Sequence, residues 1–251
     1  MRPDVNTIAN RLENLTDSQI EWIVAFIDQF GLPAEFARNN VSDVVSVAVL
    51  NSLGDLLRIH HAMSRQALTK APFEYALEKA LKRSGVSAEL CSSATNPGHD
   101  ITIAGEKFSL KTEAASDIRE QSLHISKWME MGKGQWDPPN VQLPRFLAHL
   151  EGYERILTMR CLKRVENRYR YELVEIPKAL LLEVSQENVR PAKKTKQATM
   201  PHHCDVYDDD GIRKFSLYFD AGTERKLQIK DLRKNLCVVH ATWRFESAPL
   251  Q

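Results

Sequence analysis

Residues 96–113 carry the sequence NPGHDITIAGEKFSLKTE, the most informative stretch of this chain. Asn96-Pro97-Gly98 is a turn signal, residues 100–103 alternate with a period of two, Gly105-Glu106 turns again, and residues 107–113 resume the alternation. This pattern predicts a β-hairpin that begins at residue 100 and ends at residue 113.

The polar side chains of this hairpin fall on one side of it. Because side chains two apart on a strand share a face, Ser109, Lys111 and Glu113 line up, and the hairpin folds Asp100 back beside them. Mg²⁺ takes one or two carboxylates together with waters and substrate phosphate, and a lysine beside it can orient or deprotonate a water. The arrangement therefore favours a Mg²⁺-dependent site for phosphodiester hydrolysis.

A helix precedes the hairpin. Pro72 suits its first turn, residues 73–84 follow an amphipathic pattern, and Gly85 can end it. The stripe of Phe73, Leu77 and Leu81 predicts the buried side, with Glu74 and Glu78 beside it.

The order of helix, Asp strand and Lys strand resembles the PD-(D/E)xK nucleases. His99-Asp100 stands where that family has Pro-Asp, Ser109-Leu110-Lys111 stands for (D/E)-x-Lys, and Phe73-Glu74 stands for the acid on the helix. The resemblance covers residues 70–131. It implies a type II restriction endonuclease with a restriction-endonuclease-like mixed sheet, which hydrolyses a specific double-stranded DNA sequence with Mg²⁺.

Ser109 departs from the family pattern, since a serine is a poor ligand for Mg²⁺. Some restriction enzymes of the family have Ser-x-Lys and recruit a glutamate from elsewhere. The first choice here is Glu113, which makes Asp100 and Glu113 the predicted metal ligands. Glu74 is second, and Glu120 on a predicted helix over 118–131 is third. Glu106, in the hairpin turn, is the weakest candidate.

The remaining pattern predicts an α/β fold with a helical N-terminal part and a β-rich C-terminal part. Helices are expected over residues 1–65, where Thr16 and Gln19 form a capping box, and a loop is expected over 132–144. We expect a helical N-terminal region at 1–68 for packing and dimerisation, a catalytic core at 69–150 and a β-rich DNA-recognition part at 151–251, all within one continuous domain. Strands are predicted at 155–161, 169–174, 204–207, 215–219, 226–229 and 237–245.

Composition adds little to this interpretation. The 251 residues have a net charge of +1 and an ordinary globular composition, with no apolar run of membrane-spanning length and no signal peptide, so we expect a cytoplasmic protein without a membrane partner. The C-terminal part is mildly basic and suits contacts with duplex DNA. The DNA-binding candidates are Arg168, Arg170, Lys193, Lys194, Arg225 and Lys226.

The chain offers one Asp/Lys cluster, whereas a restriction enzyme must cut two strands. A homodimer supplies two clusters around a two-fold axis, with the apolar segment 41–57 as its expected interface. Other interpretations stay open. They are a nicking endonuclease of mismatch repair resembling MutH, a junction-resolving nuclease, and a non-cutting DNA-binding protein on a nuclease fold.

Overall fold

A computed structural model of the protein describes residues 4–92, 98–132, 137–193 and 199–248. Lys194, a predicted DNA contact, and the turn residues Asn96 and Pro97 lie outside the described residues. The strands are β1 (Ala34–Arg38), β2 (Ala88–Leu90), β3 (Ile101–Ile103), β4 (Glu106–Glu113), β5 (Ser122–Glu130), β6 (Arg155–Val165), β7 (Arg168–Glu175), β8 (Val189–Pro191), β9 (His202–Tyr207), β10 (Arg213–Asp220), β11 (Lys226–Arg233) and β12 (Val238–Glu246).

These strands form two sheets. The first has seven strands in the order β1-β12-β7-β6-β4-β3-β2, and the second has five in the order β5-β11-β10-β9-β8. β4 and β6 run parallel while their neighbours pair antiparallel, so the first sheet is mixed. The predicted α/β class, with a helical N-terminal part and a strand-rich C-terminal part, is confirmed.

Helices cover the edges and faces of this framework. They are α1 (Val5–Leu12), α2 (Asp17–Gly31), α3 (Val47–Met63), α4 (Lys70–Arg83), α5 (Pro139–Leu150) and the short α6 (Lys178–Leu181). The predicted capping box begins α2, since Gln19 N donates to Thr16 Oγ1 at 3.3 Å and Thr16 N donates to Gln19 Oε1 at 2.9 Å. Two further segments, Gln186–Asn188 and Lys234–Leu236, are single 3-10 turns.

β1 interrupts the region that the pattern predicted as helical. Alanine and glutamate favour helices, yet this strand pairs antiparallel with β12, placing Glu35 opposite Arg244 and Phe36 opposite Trp243. Arg244 is 209 residues away in the chain. Local propensity carries no information about a partner at that distance, so the sequence pattern missed the strand.

Helices α3 and α4 pack on one face of the seven-stranded sheet. Leu53 and Leu57 of α3 and Phe73 and Leu77 of α4 are fully buried, and they join the sheet's own Phe108 in one core. The apolar character of segment 41–57 therefore serves mainly the core of the chain itself. Its exposed large apolar side chains are Val41 and Val47.

The predicted hairpin is confirmed in β3 and β4. Ala104 and Gly105 connect the strands with φ values of 49° and 93°, which is the left-handed region that a two-residue hairpin turn requires. Gly85, with a φ of 78°, follows the end of α4 as expected. This order of elements brings Asp100 and Lys111 close to Glu74 of α4.

The predicted helix over 118–131 is wrong, because β5 occupies most of it. Leu123 and Ile125 alternate into the core as a strand requires, but the register with β11 shifts on both sides of Ile125. The irregularity also buries Trp128, three residues after Ile125. A spacing of three imitates a helix, which explains the error.

The predicted loop over 132–144 is wrong from Pro139 onward, where α5 begins. Proline is tolerated in a first helical turn, and Leu143, Phe146 and Leu150 then recur at helical spacing and are buried. They belong to a second core, formed mainly by the five-stranded sheet and α5 with Ile156 and Val174 of the first sheet.

The strands predicted in the C-terminal part are confirmed. β6 and β7 are joined by Glu166 and Asn167, both at positive φ, and β9 to β12 follow within a few residues of their predicted bounds.

Among the described residues, no helix has the length and apolarity needed to cross a membrane.

Candidate active site

Asp100 lies just before β3 and is held tightly by its neighbours. Its backbone N–H donates to Phe108 O at 2.8 Å, and its Oδ2 accepts from Leu110 N at 2.6 Å and from Ser109 Oγ at 3.2 Å. Burial opposes ionisation of Asp100, but the ammonium groups of Lys111 and Lys70 outweigh it, so the pKa of the carboxyl lies below its usual value. Asp100 is therefore an ionised carboxylate in a fixed orientation.

Lys111 is a buried amine on β4. Its side chain is close to fully buried, and its Nζ donates to Ser109 Oγ at 2.9 Å and lies 5.2 Å from the centre of the Trp128 ring. Burial lowers the pKa of Lys111 to about 8, although the Asp100 carboxylate acts in the opposite direction. An amine with such a pKa can exchange a proton near neutral pH.

Ser109 connects these two groups. Its hydroxyl donates to Asp100 Oδ2 and accepts from Lys111 Nζ, and the side chain is buried. Ser109, which stands where the PD-(D/E)xK pattern has a carboxylate, thus links the acid and the amine.

Glu74 approaches the cluster from α4. The buried Phe73 and Leu77 fix the rotation of that helix, and Glu74 Oε1 lies 3.4 Å from Lys70 Nζ. Desolvation raises the pKa of Glu74, and the nearby Asp100 carboxylate raises it further, although Lys70 opposes both. Two carboxylates thus stand close enough together to repel each other.

Lys70 completes the group and was not found from the sequence. Its Nζ lies 2.7 Å from Asp100 Oδ1, so one ammonium bridges Asp100 and Glu74. Lys70 lies outside the predicted helix over 73–84. The structure begins α4 at Lys70, and this earlier start places Lys70 and Glu74 at the spacing of four residues that brings side chains together on a helix. The two carboxylates line an open cleft of about 690 Å³ with Lys70, Tyr75, Cys91 and His99.

Glu113 shares the β4 face of Lys111 but has different partners. Its Oε1 accepts from His124 N at 3.0 Å, and its Oε2 accepts from Arg160 Nε at 2.5 Å. Arg160 is fully buried, bonds Glu172, and donates to the backbone oxygens of Arg119 and Ser122. Glu113 therefore belongs to a buried ionic network within the first sheet, and hydrogen bonds join this network to the backbone of β5 in the second sheet.

The other two candidate acids also lie apart from Asp100. Glu120 precedes β5 and accepts from Arg170 Nη2 at 2.7 Å. Glu106, at the start of β4, lies 3.5 Å from Arg155 Nη1.

The predicted DNA contacts fall in separate places. Arg168 and Arg170 lie at the start of β7, where they line a groove of about 510 Å³ together with Lys163 and Arg244. Arg168 contacts Glu246 at 3.1 Å. Lys226 begins β11 on the other sheet, beside Arg225, and contacts Glu224 at 3.3 Å. Lys193 is exposed at the edge of the described residues.

Three basic residues and one acid form a row across the strands of the groove. On adjacent strands, Lys163 lies opposite Arg170, Arg170 lies opposite Arg244, and Arg244 lies opposite Glu35. These four residues are therefore in register on β6, β7, β12 and β1. Lys163 and Arg244 were not singled out from the sequence, because their alignment depends on pairings between distant segments.

The acids of the cluster suit a hard, partly hydrated cation. No group of three or more His, Cys, Asp or Glu that could enclose a metal occurs among the described residues. Mg²⁺, however, keeps several waters and uses one or two carboxylates together with substrate phosphates. Asp100 Oδ1 and Glu74 Oε1, facing an open cleft, fit that requirement.

Comparison with known proteins identifies the family. Residues 8–245 match the family described as SmaI, type II site-specific deoxyribonuclease. The type II restriction enzyme SmaI of Serratia marcescens is 45% identical over 235 residues, which cover 94% of this chain and 94% of that protein. The chain therefore belongs to the SmaI family of type II site-specific deoxyribonucleases.

Proposed function

We propose that this protein cuts a specific sequence of duplex DNA by Mg²⁺-dependent phosphodiester hydrolysis at the cluster of Asp100, Ser109, Lys111 and Glu74. The observation that carries the proposal is the hydrogen-bonded chain from Asp100 through Ser109 to the buried amine of Lys111. A buried lysine joined to a fixed carboxylate, beside an open cleft, is an arrangement for proton transfer at a bound substrate.

The cluster is proposed as a variant of the PD-(D/E)xK site. Asp100 takes the role of the invariant acid, and Lys111 takes that of the lysine. The carboxylate missing at Ser109 is assigned to Glu74, because Glu74 shares an ammonium with Asp100. Glu113, the first choice from the sequence, already binds Arg160 and the backbone of His124 through its two oxygens.

Asp100 and Glu74 would hold Mg²⁺, which supplies charge to polarise the phosphate and to acidify a bound water. Lys111, in its neutral form, accepts a proton from the attacking water at Nζ. The water oxygen forms a bond to phosphorus, and the bond from phosphorus to the leaving sugar oxygen breaks. Its electron pair stays on the leaving oxygen, which takes a proton from solvent. Ser109 keeps Lys111 in position and frees Asp100 Oδ1 by engaging Oδ2.

Duplex DNA is the proposed partner, and Arg168 and Arg170 are proposed to bind its phosphates. Their support is the row of basic side chains at the 510 Å³ groove, whose charge attracts an anionic backbone. Each arginine has one acidic neighbour, which a phosphate can replace. Lys193, Lys194, Arg225 and Lys226 stay further candidates.

A homodimer is proposed because one cluster per chain must serve two strands. The proposed interface is α2, where Trp22, Ile27 and Phe30 are exposed. These large apolar side chains lie on one helix, and a second copy of this chain would cover them. This interface replaces segment 41–57, whose apolar side chains mainly pack in the core.

Incubation of a supercoiled plasmid with the protein and Mg²⁺ tests the proposal. We expect linear DNA and then discrete fragments whose mapped ends share one sequence, with no cutting in excess EDTA. Accumulation of nicked circles alone would instead support a nicking enzyme. Retention of the plasmid in a gel shift without any cutting, across Mg²⁺ and Mn²⁺, would support a non-cutting DNA-binding protein.

A further inference from the structure

The ammonium of Lys70 lies where two carboxylates meet. Its Nζ is 2.7 Å from Asp100 Oδ1 and 3.4 Å from Glu74 Oε1, while the other oxygen of Asp100 is engaged by Leu110 N and Ser109 Oγ. The oxygens that face Lys70 are thus the ones assigned to the metal. Metal–oxygen distances for Mg²⁺ are about 2.0–2.1 Å. The Lys70 ammonium therefore occupies the space that an ion bound to these two oxygens would need.

The position of Lys70 in the fold makes its side chain easy to move. It is the first residue of α4, its side chain is 46% exposed, and the helix is anchored by the buried Phe73 and Leu77 rather than by Lys70. A cation at a helix N-terminus is disfavoured by the helix dipole. The local backbone therefore gives no reason for this lysine, whereas the two carboxylates do.

We propose that Lys70 acts as an internal substitute for the metal, which neutralises Asp100 and Glu74 in the metal-free enzyme and must swing out before a divalent cation binds. This inference rests on the proposed metal site. A DNA phosphate entering the cleft offers Lys70 another anion. Substrate binding would then help to vacate the metal position, and cation binding before DNA would be weakened.

The direct test is Mn²⁺ binding without DNA, measured by electron paramagnetic resonance of the free ion. Lys70→Gln should bind Mn²⁺ about fivefold more tightly than the wild type, because the competing ion pair of a half-exposed lysine is lost. Lys70→Arg keeps the cation and should bind like the wild type. Lys79→Gln removes an exposed positive charge from the same helix and controls for the change in net charge.

A second measurement follows the thermal midpoint Tm of the same proteins. In EDTA, Lys70→Gln should have a lower Tm than Lys79→Gln, because Asp100 and Glu74 lose the charge that they share. Mn²⁺ should raise the Tm of Lys70→Gln more than that of the wild type.

Asp100→Asn, made in the wild type and in Lys70→Gln, separates this inference from the proposed function. If Asp100→Asn removes Mn²⁺ binding but Lys70→Gln does not tighten it, the metal site stands and the role of Lys70 is refuted. If Asp100→Asn leaves Mn²⁺ binding unchanged in both proteins, the ion lies elsewhere, and the proposed metal site fails together with this inference.

Discussion

The hydroxyl of Ser109 donates to Asp100 Oδ2 at 3.2 Å across the β3–β4 hairpin. The same hydroxyl accepts a hydrogen bond from Lys111, so a residue unsuited to hold Mg²⁺ positions the two groups on either side of it. The family pattern has a carboxylate at this place. Under the proposed function, an acid from the neighbouring helix takes the ligand role instead.

Ser109→Ala removes that link, and we expect kcat to fall by about 10- to 100-fold with little change in DNA affinity. The buried ammonium of Lys111 loses its hydrogen-bond acceptor and its fixed position. Single-turnover cleavage and a binding assay would check both quantities. Ser126→Ala, an exposed serine on β5, is the control. Unchanged kcat in Ser109→Ala would remove Ser109 from the mechanism.

Glu74→Gln should change the Mg²⁺ requirement of cleavage, whereas Glu113→Gln should change the stability of the fold. Glu74→Gln is expected to raise the Mg²⁺ concentration for half-maximal cleavage by about tenfold or more with little change in stability. Glu113→Gln should lower the free energy of unfolding by about 3 kcal/mol, because it breaks the buried pair with Arg160. Cleavage titrations and urea unfolding measure the two effects.

The reverse result would assign the ligand role to Glu113: a stable Glu113→Gln without activity, beside an active Glu74→Gln. Ser109→Asp offers a further check in the Glu74→Gln background. A carboxylate at residue 109 restores the family pattern and should recover part of the lost activity.

The pH profile should report the Lys111 amine. Burial lowers the pKa of Lys111 to about 8, and the neutral amine that accepts a proton predominates above that pH. We therefore expect kcat to rise with pH through about 8 and to level off above it, in single-turnover reactions at saturating Mg²⁺. A kcat that is constant between pH 6.5 and 9.5 would contradict a proton-accepting role for Lys111.

Substitutions in the basic groove should change the salt dependence of DNA binding. Each phosphate contact contributes about 0.9 to the slope of log K against log salt. Arg170→Gln should reduce that slope by about one and weaken binding to all sequences alike. Lys82→Gln, on an exposed face of α4, serves as the control. Equal slopes for Arg170→Gln and the wild type would show that the groove does not hold the DNA backbone.

Ile27→Asp on α2 should produce a monomer, because it introduces a charge among the exposed apolar side chains of this helix. Sedimentation would reveal the change, and cleavage should shift from linear to nicked plasmid. Val41 lies outside α2 and is more exposed than Ile27, so Val41→Asp should leave the dimer intact. A wild-type protein that sediments as a monomer both alone and on uncut duplex would refute the homodimer.

Local patterns predicted the β3–β4 hairpin because its decisive signals are short. The alternation on both sides of Gly105, and the helix between Pro72 and Gly85, depend on residues close together in the chain. Asp100, Ser109 and Lys111 follow from that hairpin alone. The grouping of these three residues was therefore accessible from sequence.

Long-range contacts were not accessible in the same way. Arg160 lies 47 residues from Glu113, and nothing near Glu113 indicates this partner. The period of two correctly placed Glu113 on the same face of β4 as Lys111. A shared face, however, does not decide which cation a carboxylate contacts. The strand β5 was likewise mistaken for a helix, because its irregular pairing with β11 disturbs the period of two.

The most direct test of the central claim compares cleavage and binding by Asp100→Asn on a DNA of known sequence. The wild type should cut this DNA into discrete fragments with Mg²⁺. Asp100→Asn should bind the same DNA at least as tightly, since it relieves repulsion between carboxylate and phosphate, and should yield no fragments at equal protein concentration. Fragments produced by Asp100→Asn at a rate near that of the wild type would show that the chemistry takes place elsewhere.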